Sequence, residues 1–443
     1  MSSPKKPTFT SYEWFIIAVL TFLQFTVILD FMVLSPLSAI LIPEMHITPS
    51  QFSLVVSAYA FSAGASGLLA AGFADKFDRK RLLIFFYVGF VLGTALCAMA
   101  TTYEFLLFAR VFTGVFGGVI GSIAFAIITD LFPMEKRGRV MGYVQMAFAV
   151  SQIAGLPIGL YLANHVNWHA PFWMIVGLAI PAGLVIATRM KPVDGHLKLR
   201  SDRNPFEHLI ATATKFDHIK GFAASALLAI GGYMLMPLGA AYATNNLGLT
   251  KDDLVPLYAV TGLFMIFVGP LSGKIADRVG KYPVFVVGCT IAMSMVAWYT
   301  NMGITPLWML MIMQIVLFAG LTARMIAASA LLTALPEPKD RGAFMGINSS
   351  IQQMSGGLAA LFAGLIVVQE GQGSQAVEVA GQVATEATGR LLHYDILGIV
   401  VVSSVMVNMV LFAVVNKTVK RKQARAAESN AKTVEPQVAM VAE

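Results

Sequence analysis

The sequence predicts an all-α membrane protein of twelve transmembrane helices, arranged as two pseudo-symmetric six-helix bundles with both termini cytoplasmic. Three observations predict it. Only 12% of the 443 residues are charged while 57% are apolar, against about 25% charged in an average soluble domain. Apolar stretches long enough to cross a bilayer recur along the chain. Two loop sequences of the first half return in the second half at nearly one spacing.

A soluble protein of this length would need a polar exterior that 31 Lys+Arg and 24 Asp+Glu cannot furnish. With a span of about 20 residues as the ruler, apolar segments fall near 14–42, 51–73, 82–100, 104–131, 139–163 and 170–189, then near 221–245, 253–272, 282–300, 306–335, 343–368 and 394–415. Each reads as a helix, because a barrel strand would alternate polar and apolar residues and hydrocarbon leaves the backbone no other partner. No small-x-small cleavage site follows the first run, so the first helix is expected to insert and stay. The organisation expected is a cytoplasmic N-terminus (1–13), a first bundle (14–189), a cytoplasmic central loop too polar to span (190–220), a second bundle (221–415) and a disordered cytoplasmic tail (416–443). The polar loop from Gln369 to Arg390, with Glu370, Glu378 and Glu386, has room for a short surface helix. Cys97 and Cys289 lie inside apolar runs and read as packed thiols.

Charge gives the orientation. With the N-terminus inside, inner segments hold 27 of the 31 basic residues; Lys251 and Arg390 fall in outer loops, and Arg110 and Arg324 within helices. Basic residues are retained on the cytoplasmic side, so an even number of helices fits. The net charge of +7 is thereby explained by topology, with no nucleic-acid partner implied; the inner-face cations would meet anionic lipid head groups. A multi-pass protein of the cell's inner (plasma) membrane is expected.

Internal repetition comes next. Gly67-Leu-Leu-Ala-Ala-Gly-Phe-Ala-Asp-Lys-Phe-Asp-Arg79 aligns with Gly269-Pro-Leu-Ser-Gly-Lys-Ile-Ala-Asp-Arg-Val-Gly-Lys281 at an offset of 202, and Arg137-Gly-Arg-Val-Met-Gly142 with Arg341-Gly-Ala-Phe-Met-Gly346 at 204. The first pair joins the second and third helices of each half, the second pair the fourth and fifth. Two independent matches at nearly one offset mark two homologous bundles in parallel.

These residues resemble the major facilitator superfamily over nearly the whole chain. Ala71-Gly-Phe-Ala-Asp-Lys-Phe-Asp-Arg-Lys-Arg-Leu-Leu83 is similar to the family's loop G-x-L-A-D-R-x-G-R-K-x-x-L, and Gly273 to Lys281 follows it more closely. In the first copy Ala71 replaces the leading Gly and Asp78 the central one. Leu106-x-x-x-Arg110-x-x-Thr-Gly114 resembles the L-x-x-x-R-x-x-Q-G element of the fourth helix, with Thr113 for Gln. Gly155-Leu-Pro-Ile-Gly159 is similar to a loosened Gly-Pro antiporter motif of the fifth. Leu29-Asp-Phe-Met-Val33 resembles the drug/proton antiporter and sugar-efflux (arabinose-efflux-like) branch, where an acid sits in this region.

A charge near the bilayer centre costs roughly 2.5–3.5 kcal/mol on insertion scales, so such residues face the protein interior or a wet cavity and tend to be paired. Asp30 lies about mid-helix, and a carboxylate balanced between desolvation and a nearby cation can load and release a proton as access alternates. The resemblance implies Arg110 as its partner, because the first and fourth helices line the family's central cavity; the plainer alternative is a structural anchor between helices. Arg324 sits about 11 residues from the inner end of the tenth helix, or ~16 Å, with no acid at comparable depth in the second half. Asp30, Arg110 and Arg324 are therefore the expected proton- and substrate-coupling residues. Two buried Arg against one Asp suggest a substrate bearing a negative group that meets Arg324. The alternative has Arg324 bonding helix carbonyls or snorkelling to the inner surface.

By the same resemblance, Asp75 and Arg79 with Asp130 match an acid-base-acid cluster that latches the halves while the site faces outward, biasing the inward/outward equilibrium. The second half keeps Asp277 and Lys281, but Ala334 stands where Asp130 would be, so a lopsided latch is expected. Gly114, Gly117, Gly118 and Gly121 permit close helix packing by small-xxx-small spacing, and Gly155, Pro157 and Gly159 loosen the fifth helix; packing alone is the competing explanation. The polar residues expected to face the cavity are Gln24, Tyr59, Gln145, Gln152, Tyr233, Gln314, Asn348 and Gln352.

Signatures of nucleotide hydrolysis (G-x-x-x-x-G-K-[ST]), of a hydrolase elbow and of a zinc helix (H-E-x-x-H) are missing from the sequence. No enzyme, no metal and no cofactor is expected, and the energy source should be an ion gradient. The partners expected are a small-molecule substrate, protons and membrane lipid, with the chain acting as a monomer. The leading expectation is a proton-driven antiporter exporting a small organic solute. A proton-coupled importer or facilitator of a sugar or organic anion, and a lipid flippase or non-transporting receptor, are the alternatives.

Overall fold

The computed structural model describes residues 9–198, 205–337, 340–370 and 389–439. The first half contains α1 (Ser11–Val33), α2 (Ser38–Glu44), α3 (Pro49–Phe73), α4 (Arg79–Ala98), α5 (Tyr103–Leu131), α6 (Met134–Val150), α7 (Leu156–His165) and α8 (Ala170–Arg189). The central connection carries α9 (Pro205–Ala213). The second half contains α10 (Phe216–Tyr233), α11 (Gly239–Asn245), α12 (Leu254–Val279), α13 (Lys281–Tyr299), α14 (Leu307–Thr333), α15 (Arg341–Ile366) and α16 (Tyr394–Ala439). A two-residue antiparallel ladder pairs β1 (Val368–Gln369) with β2 (Leu391–Leu392). The surface helix considered for the Gln369–Arg390 loop falls outside the described residues.

Among the described residues, 10 helices are long and apolar enough to cross a membrane. The two remaining expected positions are taken by α10, which opens on Asp217, His218 and Lys220, and α15, which carries Asn348, Ser349, Ser350, Gln352 and Gln353 at mid-length. Large apolar side chains such as Phe85, Phe108, Phe267 and Val410 stand exposed around the outside, as expected where the surrounding solvent is lipid.

Local sequence explains where helices start and break. Thr10 and Glu13 form a capping box at α1, and Thr48 with Gln51 another at α3. The first apolar run, expected as one helix over 14–42, is divided: Pro36 offers no N–H and disfavours a helical Ser35, so the chain turns between α1 and α2. Pro237 does the same between α10 and α11. The two interruptions lie 201 residues apart in the sequence, close to the offsets of 202 and 204 of the internal repeat. In the fifth expected helix, the π-helical turn Ser151–Gly155 separates α6 from α7, just ahead of Pro157. Past Asn416 the chain continues α16 through Ala439. The reason is that α16 enters this stretch already hydrogen-bonded, and propagating a helix is far easier than nucleating one.

Two ends of the molecule are defined by its loops. The linker end carries the turns at 74–78, 132–133, 280 and 334–340 and the central connection; the far end carries those at 45–48, 99–102, 166–169 and 301–306. The halves meet along α3 against α15 and along α7 with its π-helical turn against α12. Small residues allow this closeness: a side chain on Gly364 would lie 2.5 Å from Ser53 Cβ, and one on Gly262 2.8 Å from the Ile153 backbone. At the far end the two proline breaks touch. Ser35 Oγ donates to the Met236 carbonyl, and the Ala241 N–H donates to Ser38 Oγ at 3.2 Å. Asn164 Nδ2 donates to the Lys251 carbonyl at 2.8 Å, and Ser57 Oγ to the Gly357 carbonyl at 2.8 Å. The hydrogen bonds between halves among the described residues thus gather at the far end and along the adjoining seam.

Candidate functional site

Within the first half, α1, α3, α4 and α5 bring an ion pair into the dry interior. Arg110 Nη1 lies 2.8 Å from Asp30 Oδ2, and neither side chain is exposed at all. Thr94 Oγ1 of α4 donates to the other carboxylate oxygen, Oδ1, at 3.1 Å. The guanidinium lies over the ring of Tyr59, 4.4 Å from its centroid, a desolvated cation–π contact. Nε and Nη2 of Arg110 have no hydrogen-bond partner among the described residues. Breaking a buried pair of this kind by removing one member costs about 3–5 kcal/mol, because the other is left as an uncompensated charge.

Close packing holds the pair in place. A side chain on Gly114 would fall 2.5 Å from the Tyr59 carbonyl, and one on Gly118 2.3 Å from the Ala63 carbonyl. These glycines let α5 approach α3 far enough for Arg110 to reach past Tyr59. Gly155 and Gly159 likewise give room to Leu29 and Val33 of α1, the residues flanking the acid. From Asp30 the cluster extends toward the second half: the Phe31 ring lies 5.5 Å from Tyr59 and 6.0 Å from Tyr233 of α10. Tyr233 in turn packs where a side chain on Gly356 of α15 would stand.

Other residues singled out by sequence divide into those that join this region and those that do not. Gln24 is buried on α1 and faces Gly121 of α5. Gln152 is half-buried in the π-helical turn against Gly262. Gln352 Nε2 donates to Ser225 Oγ at 2.8 Å, tying α15 to α10. Asn348 is buried with its Oδ1 unpartnered among the described residues, Gln314 is half-buried and Gln145 is exposed. Thr94 and Phe31 were not singled out from sequence. Thr94 had one legible signal, a lone polar residue within the apolar run from Phe90 to Ala98; Phe31 had none, since aromatic residues abound throughout.

Arg324 stands apart. It is 1% exposed on α14, and its Nε, Nη1 and Nη2 all have no hydrogen-bond partner among the described residues. Neither helix carbonyls nor an acid answers its charge.

At the linker end, Arg79 Nε is 3.1 Å from Asp130 Oδ2, and Arg79 Nη1 donates to the Ala74 carbonyl at 2.8 Å. The backbone N–H of Arg79 also donates to the Val193 carbonyl, pinning the central connection to this corner. The Asp75 side chain lies outside the described residues. In the second half Asp277 and Lys281 are exposed and border one surface recess with Ala334 and Asn416, with no ion pair between them among the described residues. The two corners are built from equivalent loops, but a charged pair is described only in the first.

A bundle of helices long and apolar enough to cross a membrane, with a charged pair sealed inside and a seam lined by small residues, defines a multi-pass membrane protein. The profile of the Major Facilitator Superfamily matches residues 20–299 and 221–439, and the chain belongs to that family, whose members are transporters and not enzymes. Multidrug resistance protein 3 of Bacillus subtilis is 32% identical over 152 residues, 34% of this chain, and the chain spans only 30% of that relative's length. The tetracenomycin C resistance and export protein of Streptomyces glaucescens is 24% identical over 383 residues, 73% of this chain and 70% of that protein. Among solved structures, a D-xylose-proton symporter superposes with a TM-score of 0.70 at 16% identity, covering 90% of this chain and 97% of the other. The nucleoside transporter NupG (D323A mutant) gives 0.68 at 14%, covering 90% and 99%. At such identities these likenesses speak for the fold alone.

Proposed function

We propose that the protein exports a small organic solute in exchange for protons, by alternating access between its two halves. The observation that carries this reading is the sealed Asp30–Arg110 pair with Thr94 and Tyr59. Only a change of protonation or of partner lets such a carboxylate separate from its guanidinium without leaving a bare charge in hydrocarbon. Proton binding at Asp30 therefore releases Arg110, and through Phe31 the change reaches Tyr233 and the seam. The printed names of two relatives, a multidrug resistance protein and an export protein, favour efflux.

In this reading the chain crosses the membrane twelve times as a monomer, α10 and α15 included. The linker end is cytoplasmic, because the sequence segments assigned to that side hold 27 of 31 basic residues. Hydrogen bonds between the halves gather at the far end, which supports a conformation closed to the outside. The Arg79–Asp130 corner acts as the stronger part of a lopsided latch at the linker end.

The test is flux in proteoliposomes with an imposed pH gradient and a panel of organic solutes. Asp30→Asn should abolish gradient-driven exchange while sparing equilibrium counterflow of the same solute. Intact gradient-driven flux in Asp30→Asn would remove proton coupling through this residue. Uptake with the proton gradient rather than against it would turn the protein into an importer, the activity for which the D-xylose-proton symporter is named.

A further inference from the structure

The second half contains a cation whose partner is missing from the place where the first half keeps one. Three observations meet there. Arg324 is 1% exposed with none of its guanidinium nitrogens hydrogen-bonded among the described residues. A side chain on Gly232 would stand 3.3 Å from Arg324 Nη2, and one on Gly231 3.6 Å from Nη1. Ser404 Oγ of α16, also buried and unpartnered, lies 3.7 Å from that same Gly231 position. The thiol of Cys289 on α13 is close by, a weak acceptor that leaves the charge uncompensated.

The internal repeat says what is absent. The proline breaks correspond at an offset of 201 and the second-to-third-helix loops at 202, so Asp30 corresponds to Gly231 or Gly232. In the first half this place supplies the carboxylate that answers Arg110; in the second it supplies two glycines beside a guanidinium, with Val405 Cγ2 2.9 Å from where a Gly231 Cβ would stand. Burying a cation without a partner is costly. Gly232 is half-buried, so the recess has a rim through which a group can enter.

We propose that the recess formed by Arg324, Gly231, Gly232 and Ser404 binds a single carboxylate-sized anionic group, carried by the transported solute. The proposal rests on the transporter reading for its solute and on the geometry alone for its site. The guanidinium donates two bonds to the incoming oxygens, Ser404 Oγ donates a third, and the Val405 side chain shifts to admit the group. A neutral solute of the same shape gains none of this.

The experiment uses the full chain in detergent micelles, with thermal unfolding followed by tryptophan fluorescence at constant ionic strength. The probes are acetate, its neutral isostere acetamide, and chloride. Acetate should raise the unfolding midpoint saturably and acetamide should not. Arg324→Gln should lose the acetate shift. Gly232→Asp should lose it too while itself unfolding at a higher temperature than the parent, because it supplies the carboxylate in place; this variant decides the matter if Arg324→Gln fails to fold. No acetate shift in the parent, or an undiminished one in these variants, overturns the site. A shift with chloride but not acetate overturns the solute-borne carboxylate in favour of a free inorganic anion. Saturable, Arg324-dependent acetate binding in a protein that moves no solute in proteoliposomes would overturn the transport reading and not the site.

Discussion

Arg110 Nη1 meets Asp30 Oδ2 at 2.8 Å in a volume where neither side chain touches solvent. Two residues 80 positions apart on different helices are thus one electrostatic unit, and removing either member exposes the other. Arg110→Leu should lower stability by about 3–5 kcal/mol. Asp30→Leu combined with Arg110→Leu should recover most of that loss, since no bare charge remains. Thermal unfolding of the three variants in detergent measures both steps, and equal destabilisation by the single and double variants would argue against the coupling.

The seam between α3 and α15 depends on glycine. A side chain at Gly364 would lie 2.5 Å from Ser53 Cβ and 2.9 Å from Ser50 Cα, so Gly364→Val must push the helices apart. Overpacking of this kind costs typically ~1–3 kcal/mol. Here the cost falls on the far-end-closed arrangement and should shift the protein away from it. A cysteine at the buried Ser57, which bonds to Gly357 across the seam, serves as reporter. Maleimide should label Ser57→Cys at least several-fold faster when Gly364→Val is also present.

The two linker-end corners should respond unequally to equivalent substitutions. Asp130→Asn withdraws the charge facing a nearly buried Arg79, loosening the 74–78 turn and its attachment to the central connection. Hydrogen exchange of those amides should quicken by about tenfold or more, the equivalent of ~1.4 kcal/mol. Asp277→Asn changes an exposed side chain with no ion pair among the described residues and should leave exchange around Gly280 as it was.

Acid should weaken the far-end loop that precedes α12. Thr250 donates to Asp253 Oδ2 from both its hydroxyl, at 2.6 Å, and its backbone N–H, at 2.8 Å. These bonds hold the carboxyl below its ordinary range. With the folded value depressed, the stabilisation is fully present above the ordinary carboxyl value and is lost as pH falls through the folded one. Amide exchange in residues 250–254 should therefore show an acid-side loss of protection that Asp253→Asn flattens. The adjacent Lys251 carbonyl accepts from Asn164 across the halves, so loosening of the loop should also reach that contact.

Most of the architecture was legible because it follows from composition and period. Lipid solvation forces apolar segments of a set length, and the positions of Lys and Arg fix which loops share a side. A duplicated fold leaves duplicated loop motifs. Proline chemistry was singled out from sequence at Pro157 alone, while the breaks at Pro36 and Pro237 emerged only in the structure. The pairing of Asp30 with Arg110 was reached through family likeness, since sequence spacing carries no distance between helices.

What the sequence by itself determined is the inventory: apolar spans with repeated loop motifs, three charges within those spans and small residues at intervals along them. What only the tertiary structure decided is which of those charges are answered. The charges of Asp30 and Arg110 answer each other, with Thr94 on the carboxylate, whereas Arg324 faces Gly231 and Gly232 with no acid beside it and only the weak acceptor of Cys289 nearby among the described residues. The physical reason is range. Solvation and helix formation act on neighbouring residues and are written locally, while pairing within a few ångströms depends on how helices far apart in sequence rotate and close against one another.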